Sequence, residues 1–266
     1  MDIDDDRLIV GAGRLHWNSS GSAFVFRFDG NQWWPEAWLT PFGGPSDGRF
    51  GVSVAIDDGR AIVGAGGYDS LSSEPGRIFS YQLEDSQWVG SDSAQAPQFP
   101  WRQDFGYAVA LNGERVLASA GGDPAFAPRA FGFEMDTKGS LQHEATLQTG
   151  AAPGSEVSIS LSPSWAAVGG PQSVGIYDAN WLGVDSITAS GGEFGAALAL
   201  SDDLLAVSRY DQDGTNVMQI MRFDGFWSDL TDIVVDAFAR VAAIRGSTMA
   251  VGSPAAGQEG LTRIYR

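Results

Sequence analysis

The 266-residue chain contains no cysteine and a single lysine, Lys138. Without cysteine, no disulfide can stabilise the fold and no thiol can act as a nucleophile. Its 33 acidic residues outnumber the 16 Lys and Arg residues, which gives a formal net charge of −17. Nucleic acids and anionic membranes are bound through positive charge. The composition therefore argues against both classes of partner.

Other patterns are also missing. No apolar run reaches about 18 residues, so no transmembrane span is predicted, and the chain does not open with a signal-peptide pattern. No window has apolar residues at helical spacing, which argues against helices. The only two histidines, His16 and His143, have no metal-ligand spacing, and the chain has no G-x-S-x-G motif. We therefore predict a non-enzymatic protein.

Four short apolar patterns recur in a fixed order along the chain. The first opens on Phe-Gly, as in Phe50–Ile56, and the second ends in small residues, as in Arg60–Gly66. The third is rich in aromatic residues, as in Arg77–Leu83, and the fourth opens on an aromatic residue such as Trp88. Runs of this length, rich in Val, Ile, Phe and Tyr and bounded by Gly, Asp, Asn or Ser, are typical of strands. Each repeat therefore predicts four strands.

The repeat length indicates how these units assemble. Equivalent residues are 55 positions apart between Val63 and Ala118, and 44 apart between Val207 and Val251. Periods of about 40–50 residues with four strands are typical of propeller blades. One such sheet has two apolar faces, and packing the sheets around an axis covers both faces of each. The sequence predicts an all-β fold, a β-propeller of six four-stranded blades in one domain, 1–266, with blades at 1–49, 50–104, 105–154, 155–192, 193–237 and 238–266.

A seven-bladed ring is the alternative, with one blade supplied from outside the chain. Met1–Ile3 aligns with the end of a first strand, Val54–Ile56, and the last repeat stops after its third strand. This register leads us to expect that the chain is a piece of a longer protein. It also suggests assembly through the terminal strand edges, because an unpaired edge can accept a strand.

These motifs resemble a known family. A Phe-Gly that opens the first strand, and V-G-A-G or A-V-G-S at the end of the second, are similar to bacterial FG-GAP repeats, which are related to the propeller of integrin alpha subunits. The resemblance covers nearly the whole chain. It implies a secreted or cell-surface protein that binds a protein or glycan ligand, and it does not identify that ligand.

Several aromatic residues lie outside the repeated positions. Phe99 and Trp101 fall in the longest connection between repeats, and Trp17 and Phe126 fall between second and third strands. Flat rings stack on sugars or anchor protein interfaces. These four residues are candidate binding residues. The alternative is that they fold back over the ends of the blades.

Calcium is the only cofactor to consider. The resemblance implies an acidic calcium loop between first and second strands, but the connections there, such as Asp57–Gly59, are too short. The nearest match lies in a second-to-third-strand connection, where Asp211 and Asp213 precede Gly214. Carboxylates at alternate positions suit calcium, so these two are candidate ligands. An ordinary Asp-Gly turn is the alternative.

The sequence thus predicts a non-enzymatic extracellular binding or adhesion module that presents its loops on a propeller. Three alternatives remain open. One is a structural subunit of a larger surface assembly or filament, and another is a lectin-like glycan binder. The third is a hydrolase with an unrecognised site at the axial channel.

Overall fold

The computed structural model describes residues 1–13, 21–43, 49–66, 76–97, 104–121, 127–149, 155, 157–188, 194–235, 239–246, 248–253 and 261–266. These residues form strands, turns and bends, and no helix occurs among them. In these ranges there is accordingly no helix that is long and apolar enough to cross a membrane. The predicted all-β class is confirmed.

The strands form six separate antiparallel sheets, within which they pair in sequence order. The first sheet comprises β1 (Asp2–Asp4), β2 (Arg7–Ala12), β3 (Ser22–Phe28) and β4 (Trp33–Leu39). The second comprises β5 (Arg49–Asp57), β6 (Arg60–Gly66), β7 (Arg77–Glu84) and β8 (Gln87–Gln95). The third comprises β9 (Val109–Asn112), β10 (Arg115–Ala120), β11 (Arg129–Met135) and β12 (Leu141–Gln148).

The other sheets follow the same order. The fourth comprises β13 (Ser158–Leu161), β14 (Trp165–Gly170), β15 (Ser173–Asp178) and β16 (Gly183–Thr188). The fifth comprises β17 (Phe194–Leu200), β18 (Leu204–Tyr210), β19 (Asn216–Phe223) and β20 (Trp227–Val234). The sixth has three strands among the described residues, β21 (Val241–Arg245), β22 (Thr248–Ser253) and β23 (Leu261–Tyr265).

Five hydrophobic cores lie between successive sheets. In the first core, Ile9 and Val25 of the first sheet pack against Phe50, Val63 and Phe79 of the second. The same arrangement joins the second sheet to the third, the third to the fourth, the fourth to the fifth and the fifth to the sixth. The first strands of successive sheets also contact one another. The six sheets are therefore the blades of a β-propeller, with their first strands innermost.

In three of these cores the two sheets contribute different types of side chain. The earlier sheet contributes mainly small and aliphatic side chains, and the later one contributes large aromatic side chains: Phe50, Phe79 and Tyr81 in the first core, Phe105, Phe131 and Phe133 in the second, and Phe194 and Trp227 in the core between the fourth and fifth sheets. Aromatic rings bury a large apolar area. The rings of one blade thus fill the space beside the aliphatic face of the blade before it.

The Phe-Gly pair has a structural explanation. Phe50, Phe105 and Phe194 are each almost completely buried. The glycine that follows Phe50 has a φ of +85° and the one that follows Phe105 has a φ of +84°. Backbone in this region favours glycine. The pair therefore places a ring in the core between blades and turns the chain immediately after it.

This turn explains why some first strands begin later than the sequence predicts. The pattern predicts a strand from Phe105, but β9 begins at Val109, because the chain around Gly106 forms a turn. In the second sheet the pairing register shifts between Phe50 and Ser53, next to Gly51. The positive-φ glycine therefore interrupts the regular pairing.

The face of the first sheet that points away from the second sheet differs from the faces that lie between blades. Among the described residues no core joins this face to the sixth sheet, and Trp33 is 39% exposed and Trp38 68% exposed. The sequence predicts that the aromatic residue near the start of a fourth strand, where there is one, lies between blades. Trp227 does so in the fifth blade and is 7% exposed. Trp33 is the exception, because none of the other described sheets covers its side of the first sheet.

Candidate functional site at the propeller axis

A cavity of about 550 Å³ lies among the first strands of the third to sixth sheets. Because first strands are innermost, this cavity is at the axis of the propeller. Its volume is within the range of about 300–1,000 Å³ that is usual for ligand pockets. Gly170 and Pro171, at the end of β14, also line it, so it reaches the end of the sheets where second strands finish.

The cavity is lined by one equivalent residue from each of these four blades. In the third and fifth blades the residue is the one that follows Phe-Gly, and in the fourth and sixth it follows Ser-Glu and Phe-Ala. These residues are Tyr107, Val157, Ala196 and Arg240. The repeat therefore brings one variable position of each blade to the same place. We call these four residues the axial ring.

The walls behind the axial ring are apolar. Phe194, Leu198 and Val157 are almost completely buried in the cores between blades. The apolar surface that is open to the cavity therefore comes from residues such as the half-buried Ile159 and the exposed Val241. The hydroxyl of Ser158 also lines the cavity, and it donates a hydrogen bond to the carbonyl oxygen of Gly195 in the next blade. That hydroxyl therefore helps to join two blades.

Two axial-ring residues supply polar groups at the surface. Tyr107 is 38% exposed, and Arg240 is also exposed. The backbone N–H of Arg240 donates to the carbonyl oxygen of Gly252 at 3.0 Å, which holds the residue at the start of β21. Of the described residues that line the cavity, Arg240 is the only charged one. The lining therefore combines mainly apolar residues with one cationic side chain.

The calcium candidates lie away from this cavity, in the turn between β18 and β19. The carboxylate of Asp211 accepts a hydrogen bond from Nε of Arg209 at 2.6 Å, and the same guanidinium reaches Asp232 at 2.9 Å. The carboxylate of Asp213 accepts hydrogen bonds from the side chain of Thr215 and from its backbone N–H, the latter at 2.9 Å, and both lower the pKa of Asp213. Both carboxylates thus have partners within the hairpin, as in an Asp-Gly turn. Calcium binding there stays a prediction.

The four candidate binding aromatics, Phe99, Trp101, Trp17 and Phe126, lie outside the described residues. Within the described part of the chain, no group of three or more His, Asp or Glu side chains is placed to hold a metal ion. His143 contacts the rings of Phe131 and Phe133, and its Nε2 is 3.2 Å from the hydroxyl of Thr146. Those contacts give it no carboxylate partner for acid–base chemistry.

Sequence reasoning did not single out Tyr107 or Arg240. The signal that could have found them is their place in the repeat, directly after the pair that opens the first strand. Because first strands are innermost in this fold, a variable residue at that position reaches the axis. In the third to sixth blades this position holds Tyr, Val, Ala and Arg, respectively.

Comparison with known proteins adds to this geometry. No protein-family profile matches the chain, and no curated protein matches it. Solved structures do match. The chain is a β-propeller.

The WD40 domain of Pan2 from Neurospora crassa has a TM-score of 0.54 at 15% identity, covering 95% of this chain and 70% of that one. BamB from Moraxella catarrhalis has a TM-score of 0.53 at 12% identity, with coverage of 94% and 68%. Sqt1 from Saccharomyces cerevisiae has a TM-score of 0.52 at 10% identity, with coverage of 93% and 77%. At these identities the likeness is one of fold, so the function must be argued from the site.

Proposed function

We propose that this protein is a non-enzymatic binding module that recognises a protein ligand at the axial end of the propeller. The observation that carries the proposal is the axial cavity of about 550 Å³, lined by the equivalent variable residue of four blades. A concave apolar site with few polar groups is the usual form of a binding pocket. Variation at equivalent positions of a repeat is how such scaffolds present a specific surface.

We also propose that the repeats are of the FG-GAP type and that the protein acts outside the cytoplasm in binding or adhesion. The buried Phe50, Phe105 and Phe194 support the first point, since the Phe-Gly pair has the same structural role in each of these blades. The second point rests on the resemblance and on the net charge of −17, which disfavours nucleic acid as a partner. Locating the tagged protein in fractionated cells of its source would test it, and recovery in the cytoplasm would contradict it.

The binding proposal is tested by selecting peptides from a display library on the immobilised protein. Each selected peptide is then measured against Ala196→Trp, because an indole at this half-buried position would occupy the cavity. We expect the peptides to lose affinity for this variant and to keep it for Ala243→Trp, which changes an exposed alanine outside the cavity. Peptides that bind both variants like the parent would contradict a site at the axis. Binding only on a glycan array would favour the lectin alternative, and turnover of hydrolase substrates would favour an enzyme.

A second candidate function is assembly into a larger structure. The exposed Trp38 on the first sheet and Ile264, 66% exposed on the sixth, favour it. The outer edge of β23 has no strand beside it among the described residues, and such an edge can pair with another chain. Light scattering over a range of concentrations tests this proposal. A constant monomer mass would count against self-assembly.

A further inference from the structure

We propose that copies of this chain associate head to tail, with the outer face of the first sheet of one copy packed against the outer face of the sixth sheet of another. The outer face of the first sheet points away from the second sheet, and that of the sixth sheet points away from the fifth. This contact rests on the proposed assembly, the second candidate function, and specifies which surfaces meet.

The outer face of the first sheet is an open apolar surface. The pairing register places no charged strand residue on it, and its nine large apolar residues are Ile3, Leu8, Val10, Phe24, Phe26, Phe28, Trp33, Pro35 and Trp38. All nine are exposed or half-buried, whereas Ile9, Ala23 and Val25 on the other side of the same strands are fully buried. Contiguous apolar patches on a protein surface mark interaction sites.

The aromatic rings of this face are held in place by one another. The ring of Trp38 stacks on that of Phe24 with the centroids 6.1 Å apart, and the rings of Trp33 and Phe28 are 5.2 Å apart. Each pair spans the neighbouring strands β3 and β4. Side chains that are already ordered lose less conformational entropy when a partner binds. The first sheet therefore presents a preformed surface.

The outer face of the sixth sheet is of the opposite kind, because its side chains are small or aliphatic. The register places on it Val241, Ala243, Ala250, Gly252, Thr262 and Ile264, with Arg245 at one end. Val241 and Ile264 are each 66% exposed. Among the described residues, a methyl group on Gly252 would meet only Val241 within 4 Å, whereas the equivalent glycines of the first, second and fourth sheets touch the next blade. This face is therefore open to a neighbour.

The two outer faces match the two sides of a contact between blades. In three of the internal cores, an aromatic face of the later sheet packs on a small, aliphatic face of the earlier one. The first sheet exposes the aromatic type of face and the sixth sheet exposes the aliphatic type. A sixth sheet against the first sheet of another copy repeats the internal contact. Because two different surfaces meet, the association is heterologous and forms a ring or a filament.

Charge restricts where two copies can approach each other. Each copy has a net charge of −17, so the copies repel one another over most of their surface. The outer face of the first sheet, which has no charged strand residue, avoids this repulsion locally. Salt screens the remaining repulsion and leaves the apolar contact intact. We therefore expect the mean mass in solution to rise with both protein and salt concentration.

A pair of variants that each block one face tests the contact. Trp38→Glu places a charge on the first sheet and Ile264→Glu places one on the sixth, and each variant alone should need an at least about tenfold higher concentration than the parent to assemble. An equimolar mixture of the two should form dimers and stop there, because one intact contact joins the copies and both outer ends are blocked. Phe226→Glu and Val184→Glu change exposed apolar residues outside both faces and should assemble like the parent. Sedimentation velocity in high salt measures all of these masses.

The results separate this contact from the assembly on which it rests. A parent that stays monomeric at every concentration would remove the proposed assembly and this contact with it. Assembly that persists in both glutamate variants would leave the assembly standing, through the edge of β23 for example, and would overturn the contact between faces. Loss of assembly in Trp38→Glu alone would also overturn it, since two first sheets would then meet.

Hydroxyl-radical footprinting of the unmodified protein provides a test without substitutions. Raising the concentration until the protein assembles should make Trp38 and Ile264 several-fold less reactive and should leave Phe226, which is exposed in a turn, unchanged. Low reactivity of Trp38 and Ile264 already in the monomer would contradict the proposal, because the two faces would then close on each other within one molecule. Unchanged reactivity of both residues in the assembled protein would contradict it as well.

Discussion

The backbones of Gly11 and Gly51 meet across the first two blades, where a methyl group on Gly11 would lie 2.1 Å from the carbonyl oxygen of Gly51. The same approach recurs at two other boundaries between blades. A methyl group on Gly64 would lie 2.0 Å from the carbonyl oxygen of Gly106, and one on Gly169 would lie 2.5 Å from the carbonyl oxygen of Gly195. The second strand of one blade therefore touches the Phe-Gly turn of the next without room for a side chain. At Gly252, the equivalent residue of the sixth blade, the nearest atom is 3.7 Å away, in Val241 of the same blade.

This difference predicts opposite results for one substitution at two equivalent sites. Gly11→Ala should lower the free energy of unfolding by about 3 kcal/mol, because the blades must move apart to admit the methyl group. Gly252→Ala should be neutral or stabilising by about 0.5 kcal/mol, since alanine loses less chain entropy in a strand. Urea denaturation of the two variants beside the parent measures both. Similar losses at both sites would show that the contact between blades is not the cause.

Trp33 and Trp227, which open the fourth strands of the first and fifth blades, allow a second comparison of one substitution at two equivalent sites. The ring centroid of Trp227 is 5.5 Å from that of Phe223 and 5.9 Å from that of Trp165 in the preceding blade. Trp227→Ala should therefore cost about 3–5 kcal/mol. Trp33 has the equivalent position but is 39% exposed, and Trp33→Ala should cost about 1 kcal/mol or less. Equal losses in thermal melting would mean that the outer face of the first sheet is covered in solution.

Much of the fold could be predicted because the same order of strand patterns recurs in each repeat. The three Phe-Gly pairs at Phe50, Phe105 and Phe194 mark the starts of blades, and short runs rich in Val, Ile, Phe and Tyr between turn residues identify strands without knowledge of tertiary contacts. The start of β9 could not be predicted in the same way. Whether residues beside the turn pair with a neighbour depends on backbone geometry, which hydrophobicity does not record.

The candidate site was harder to predict than the fold. Sequence reasoning favoured aromatic residues in long connections, because loops often carry binding residues. Tyr107 and Arg240 have no unusual neighbours in the sequence, and they become a site only when four blades place equivalent positions around one axis. The spatial relation between residues 107 and 240 comes from ring geometry, so no local pattern contains it.

Burial of the Asp2 carboxyl predicts a particular dependence of stability on pH. Burial raises the pKa of Asp2. The backbone N–H of Ile56 donates a hydrogen bond to the Asp2 carboxylate at 2.9 Å, which lowers the pKa, but the effect of burial is the larger. An acid whose pKa is higher in the folded state stabilises the fold when protonated, and this contribution is lost as the pH rises through the folded-state pKa. Asp2→Asn keeps an acceptor oxygen for Ile56 and has no charge to bury. It should melt above the parent at neutral pH, and the difference should shrink as the pH falls to about 4.

Asp29 provides a control, because its pKa is lowered in the folded state whereas that of Asp2 is raised. Hydrogen bonds from the backbone N–H of Gln32, the indole of Trp34 and the backbone N–H of Asn31 lower its pKa. Its contribution is therefore present at neutral pH and is lost on acidification through the folded-state pKa. Asp29→Asn should melt below the parent at neutral pH, and that deficit should disappear in acid. If both variants followed the same trend with pH, the proposed effect of burial at Asp2 would be wrong.

The turn between β18 and β19 gives the last prediction, which concerns calcium. Arg209 binds both Asp211 and Asp232, so a divalent cation at Asp211 would have to replace this guanidinium or lie beside it. Adding millimolar calcium, or a chelator, should therefore leave the melting temperature of the parent unchanged. Arg209→Gln removes the positive charge that pairs with Asp211 and Asp232. The melting temperature of this variant should then rise with calcium, because carboxylate oxygens bind calcium when no other cation occupies them. Magnesium at the same concentration is the control for ionic strength. Calcium stabilisation of the parent, absent from Asp213→Asn, would contradict this account and support the acidic turn as a metal site.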